Sequence, residues 1–165
     1  MTRMAWRFFA FVVAGLVGAG ALCGQKDVAK SPKIAAAKTV YFDNRTADDA
    51  VGAETVKKLK KWGRFQLATS AKKADLVFLL TADPYKGGYV LLADGSTGTV
   101  EDGHVEKSDV PNWNMQAPVR DAYLSVIDPK TGQCLWSASR IWGGMLTGKN
   151  SVGERLVGEL EKEMK

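Results

Sequence analysis

Residues 76–80 read Leu-Val-Phe-Leu-Leu, five apolar side chains without a break. Neighbouring side chains of a strand point to opposite faces. An unbroken apolar run therefore suits a strand that is covered on both faces or lies centrally in a sheet. Before it, Thr39-Val40-Tyr41-Phe42 is β-branched and aromatic and predicts another strand, broken at Asp43-Asn44-Arg45. A helix separates the two. Thr46 is its expected N-cap, with Asp48 and Asp49 in the first turn. Ala50, Ala53, Val56, Leu59 and Trp62 recur at helical spacing and predict the apolar face. Lys57, Lys58, Lys60 and Lys61 favour the negative end of the helix dipole, and Gly63 is the expected terminator. Gly52 disfavours the helix but permits close approach to a sheet. Strand, helix and returning strand form a βα unit with a sheet-covering helix.

Phe65–Ala68 predicts a short strand and Ser70–Ala74 a polar turn. Between Tyr85 and Pro118 turn signals crowd together: Gly87-Gly88, Asp94-Gly95, Thr97-Gly98 and Asp102-Gly103. Tyr89–Ala93 and Thr97–Val105 are the expected arms of one hairpin, followed by a polar loop from Lys107 to Pro118. The strongest hairpin signal comes later, where Tyr123–Ile127 and Gln133–Ile141 flank Asp128-Pro129-Lys130-Thr131-Gly132. Proline there fixes φ and glycine accepts a positive φ. Alternation places Leu124, Val126, Trp136 and Ala138 on one face and turns Ser125, Ser137 and Ser139 outward. Ser151 with Glu154 reads as a capping box, and Leu156, Val157, Leu160 and Met164 predict the apolar face of a last helix.

The amino-terminal end carries an address. Arg3 and Arg7 precede the apolar stretch Phe8–Val17, and Ala19-Gly20-Ala21 supplies the small residues a signal peptidase reads. From Phe8 to Leu22 the uncharged stretch is about 15 residues, short of the roughly 20 that span a bilayer. The expected organisation is a signal peptide over 1–21, a flexible tether over 22–37 and one domain over 38–165. Arg3 and Arg7 leave with the signal, which lowers the whole-chain net charge of +5 by two and gives no argument for a nucleic-acid partner. Cys23, just past the expected cut, has three fates. It stays in a free tether, it is lipidated, or it pairs with Cys134 in an oxidising compartment. Leu22 is the wrong size before a lipidated cysteine. Fifteen extended residues reach about 50 Å, so distance does not forbid the bridge. Within a strand, a free Cys134 would serve as a small buried hydrophobe.

Chemistry-bearing residues are sparse. His104 is the only histidine, crowded by Glu101, Asp102 and Glu106. The spacing fits no zinc motif, and no serine motif supplies a nucleophile with a base. The expectation is a protein that is not an enzyme, with no cofactor or metal; the alternative is a small exported hydrolase or metal-dependent enzyme using His104. Lys57, Lys58 and Lys61 are candidate contacts for an anionic envelope partner. Trp113 and Trp142 are candidate interface anchors, while Trp62 and Trp136 suit the core.

Two stretches carry a resemblance. Ala74-Asp75-Leu76-Val77-Phe78-Leu79-Leu80 is followed later by Tyr123–Gly132 and Leu135-Trp136-Ser137. Together they resemble small bacterial envelope domains of the TolB amino-terminal type and the core of curli-secretion lipoproteins. That resemblance implies a two-layer sandwich and an accessory role without catalysis. The expected fold is therefore α/β (α+β), with two main helices on a mixed sheet of about five strands with hairpins. The expected function is that of a periplasmic binding or scaffold module of the cell envelope. It would contact another envelope protein or polymer through the Trp113 loop and the serine face of the last hairpin, and would meet the membrane only if Cys23 is lipidated.

Overall fold

The computed structural model describes residues 31–46, 48–101, 104–107, 121–141 and 151–165. In chain order these form α1 (Pro32–Ala36), β1 (Thr39–Asn44), α2 (Asp49–Trp62), β2 (Gln66–Leu67), a 3₁₀ turn (Ala71–Lys73), β3 (Leu76–Thr81), β4 (Tyr89–Leu91), β5 (Thr97–Glu101), β6 (His104–Lys107), β7 (Asp121–Ile127), β8 (Cys134–Ile141) and α3 (Ser151–Glu163). A mixed five-stranded sheet runs β2-β1-β3-β7-β8, and β4-β5-β6 form a separate small sheet. The large sheet is parallel across β2, β1 and β3 and antiparallel from β3 through β7 to β8. This is the α/β sandwich the sequence predicts.

β3 is the middle strand, and all of Leu76–Leu80 is buried. Alternation sends Leu76, Phe78 and Leu80 into one cluster with Val40, Leu124, Val126 and Trp136 of the sheet, where Ile34, Val51, Leu59, Leu156, Val157 and Leu160 of the helices meet them. Val77 and Leu79 enter a second cluster on the opposite face, with Tyr85, Tyr89, Ile127, Cys134 and Ala71. The helices thus cover one face of the sheet, and residues leading into and forming β4 cover the other.

The hairpin β7–β8 follows its prediction. Val126 lies opposite Trp136 and Leu124 opposite Ala138. Asp128 N–H donates to Gln133 O at 2.9 Å, Gly132 N–H donates to Asp128 O at 2.8 Å, and Gly132 takes φ +66°. Several expectations shift. β1 continues through Asp43 and Asn44, which pair with Leu79 and Leu80, instead of breaking there. The cap of α2 is Asp48, whose carboxylate accepts from the amides of Ala50 and Val51; Thr46 is instead buried and bonded to Asn44. The buried face of α2 is Val51, Gly52, Thr55 and Leu59, so the helix is rotated away from the Ala50–Ala53–Val56 stripe. Small residues define that face because two elements lie close: a Cβ on Gly153 of α3 would overlap the Thr55 hydroxyl, and a Cβ on Gly52 would overlap the Asn44 side chain at the end of β1. Trp62 packs on the core edge and meets Phe65 edge-on at 5.3 Å. α3 begins at Ser151 itself, with Glu154 in its first turn. The expected long arm Thr97–Val105 divides into β5 and β6, so three strands stand where two were expected.

Residues 32–37, assigned to the tether from composition, are ordered. Ile34 is completely buried, Lys33 forms an ion pair with Asp128, and Arg64 donates to the carbonyls of Ala35 and Ala37. One buried isoleucine in an otherwise Lys/Ala-rich stretch, with these polar contacts, docks this short helix.

Candidate functional site

Tyr41 and Asp43 of β1 and Arg45 just past its end alternate along the chain, so all three turn toward the small sheet. Asp43 is only 8% exposed. Its Oδ2 accepts from the Thr97 hydroxyl at 3.0 Å, from Arg45 Nε at 3.2 Å and from the Tyr89 hydroxyl at 3.4 Å. Arg45 Nη2 completes the ion pair at 3.1 Å. The same guanidinium donates to Thr97 at 3.4 Å and to Thr99, and lies 5.2 Å from the centroid of the Tyr89 ring. A buried carboxylate is tolerable only when paired and hydrogen-bonded, and Asp43 is both. This polar clip fastens β5 and β4 to the end of β1.

The phenols around it stay protonated. Burial raises the Tyr89 pKa first, and the negative charge of Asp43 raises it further. Burial likewise raises Tyr85, whose hydroxyl donates to Gly132 O at 2.8 Å and accepts from the Tyr89 amide at 3.0 Å. Tyr41 is raised by burial and then by Asp43. Tyr85 and Tyr89 act as hydrogen-bond donors that hold the small sheet in place.

Beside the clip runs a groove of about 420 Å³ between the segment after β3 and strand β5. Asp83, Tyr85 and Lys86 line one side, Thr99 and Val100 the other, with Gly88 at the seam. Gly88 sits at the seam because its carbonyl accepts from Val100 N–H at 2.8 Å and a Cβ there would strike Val100 O. The groove presents one carboxylate, one ammonium and an exposed valine. Thr99 belongs to both structures: it lines the groove and accepts from Arg45.

The residues singled out from sequence fall elsewhere. Trp113, Trp142 and Cys23 lie outside the described residues. His104 opens β6 opposite Glu101, but its side chain lies outside them too. Lys58 is committed to Glu161 of α3 at 2.8 Å, Lys57 pairs with Glu54 at 3.2 Å, and Lys61 is exposed in the last turn of α2. Ser125 and Ser137 do not face solvent as expected: both are buried, their hydroxyls 3.1 Å apart, under the second apolar cluster; Ser139 alone of the three is exposed. Cys134 is disulfide-bonded and not the free buried thiol of the strand reading. Sequence reading missed the clip and the groove. The available signal was the alternation Tyr41-x-Asp43-x-Arg45 at a strand end, matched by Thr97-x-Thr99. Among the described residues no group of acidic, histidine and cysteine side chains is arranged to hold a metal, and no helix is long and apolar enough to cross a membrane.

No family model matches the chain, and no curated protein matches it; the TolB and curli-secretion resemblance therefore has no counterpart among them. Among solved structures the chain is similar to the PelC dodecamer from Paraburkholderia phytofirmans in two crystal forms. A point variant of that protein gives 16% identity over 78% of this chain and 89% of that chain, with a TM-score of 0.39. The second form gives 16% identity over 77% and 86%, with a TM-score of 0.38. Superposition at that level assigns neither fold nor function to this chain.

Proposed function

We propose that the protein is an exported, non-enzymatic binding or scaffold module of the cell envelope, and that the groove between Asp83–Gly88 and β5 is its contact surface. The observation that carries this reading is the pairing of that groove with a fully bonded clip. The buried ion pair beside it, Asp43 with Arg45, is spent on holding the two sheets together. The neighbouring phenols are kept neutral by burial. What remains facing the groove is recognition chemistry: opposite charges at Asp83 and Lys86, a hydroxyl at Thr99 and apolar surface at Val100. Rigid walls with a few convergent polar groups suit binding. The leader-like start of the chain supports export. The disulfide on Cys134 supports the same assignment, because such bonds persist in oxidising compartments.

The test is photo-crosslinking in cells, with a photoreactive amino acid at Lys86 or Val100 and a control at exposed Lys162 on α3. The expected result is a reproducible envelope product from the groove positions alone. Equal labelling from the control, or no product beyond the monomer, refutes the assignment of this surface.

A further inference from the structure

We infer that the second sulfur of the Cys134 disulfide is that of Cys23, and that this bond and lipid attachment at Cys23 are mutually exclusive fates of one atom. The sequence contains two cysteines, and Cys134 is disulfide-bonded. Within one chain, Cys23 is the only sulfur left to pair with it. Cys134 is itself buried under the small sheet with Tyr85, Tyr89 and Ile127.

Independent contacts bring the amino-terminal side of the chain to the same place. Lys33 in α1 pairs with Asp128, the residue whose amide closes the hairpin loop on Gln133, immediately before Cys134. The carboxylate is 3% exposed and also accepts from the Thr131 hydroxyl at 2.8 Å, so this is a built contact at the base of the hairpin. Ile34 anchors the same helix in the core, and Arg64 holds its carbonyls. The ten residues from Cys23 to Lys33 reach up to about 35 Å when extended. They start from a point already fixed beside the hairpin that carries Cys134.

The chemistry balances simply. Two thiols lose two protons and two electrons and form one S–S bond; the acceptor is an oxidised protein dithiol of the exporting compartment, which is reduced in turn. Lipidation instead replaces the thiol hydrogen of Cys23 with a thioether to the lipid. A thioether sulfur cannot enter a disulfide. A lipid-anchored chain would therefore carry Cys134 as a thiol, and a chain bridged at Cys134 carries no lipid on Cys23. With the signal peptide cut after Ala21, Cys23 stays in the mature chain and is available for the bridge.

Differential alkylation of the full-length protein recovered from cells tests this. The denatured, unreduced protein is blocked with one thiol reagent, reduced, labelled with a heavier analogue and digested for mass spectrometry. Both cysteine peptides are expected to carry only the second label, and an unreduced digest should contain one species that joins them. In Cys23→Ser, Cys134 should switch completely to the first label. Three results overturn the inference: first label on either cysteine of the natural sequence, an acyl mass on Cys23, or a linked pair of Cys134 peptides. Continued protection of Cys134 in Cys23→Ser overturns it as well.

Discussion

At Arg45 one guanidinium bonds the Asp43 carboxylate and the hydroxyls of Thr97 and Thr99, and lies over the Tyr89 ring. Replacing it with methionine keeps the apolar stem but strands a buried carboxylate. Breaking a buried pair in this way costs about 3–5 kcal/mol, so urea unfolding of Arg45→Met should show a loss of that order. Adding Asp43→Asn removes the stranded charge and should restore part of it. A loss below about 1 kcal/mol, the range of a surface pair, would show that the clip does not secure the small sheet. Two further carboxylates make the amino-terminal side sensitive to acid. The amides of Lys38 and Thr39 and the Thr39 hydroxyl hold Asp75 below its ordinary pKa. Burial pushes Asp128 the other way, but hydrogen bonds from Lys33, Thr131 and the Lys130 amide outweigh it and leave it lowered. A lowered carboxylate stabilises the fold above its unfolded pKa and loses that contribution as pH falls through the folded value. Amide exchange in residues 32–39, corrected for intrinsic rate, should therefore speed up below about pH 4, the ordinary carboxylate range. Asp75→Asn should flatten the response at Thr39 and leave the Lys33–Asp128 part in place. Exchange that is unchanged down to pH 2.5, about one unit below that range, would rule out this coupling.

Between elements, the closest fit is α2 against α3. Gly153 faces Thr55, whose hydroxyl donates to Val51 O at 2.7 Å. Gly153→Ala should cost about 1–3 kcal/mol, as overpacking does, despite the better helix propensity of alanine. Thr55→Ala should recover part of that loss in the double variant, giving a coupling of about 0.5 kcal/mol or more in denaturation. Strict additivity would mean that the helices do not touch there. Elements whose periodicity is local were legible in the sequence. The run 76–80 and the hairpin around Asp128-Pro129-Lys130-Thr131-Gly132 each announce themselves within a few residues. The face of α2 was not, because apolar spacing favoured Ala50 and Ala53 while the end of β1 selected Gly52 and the partner helix selected Thr55. α1 was hidden for a similar reason, since its one buried residue, Ile34, makes no pattern. The clip was least legible of all. Arg45 and Thr99 are 54 positions apart, and each alone looks like a strand breaker or a turn-region threonine.

For the whole molecule, the large sheet separates two apolar clusters, one beneath the helices and one beneath the small sheet. β3 contributes to both, with alternate side chains. Neither layer can be peeled away without exposing half of the same strand, so the helical side and the groove side share one unfolding unit. Amides of such a strand exchange only when the whole structure opens. A molecule that settles in the groove would thus be felt as slower exchange along Leu76–Thr81, a strand that does not line the groove. The five apolar residues at the centre of the chain form an internal gauge of occupancy, readable before the identity of the occupant is known.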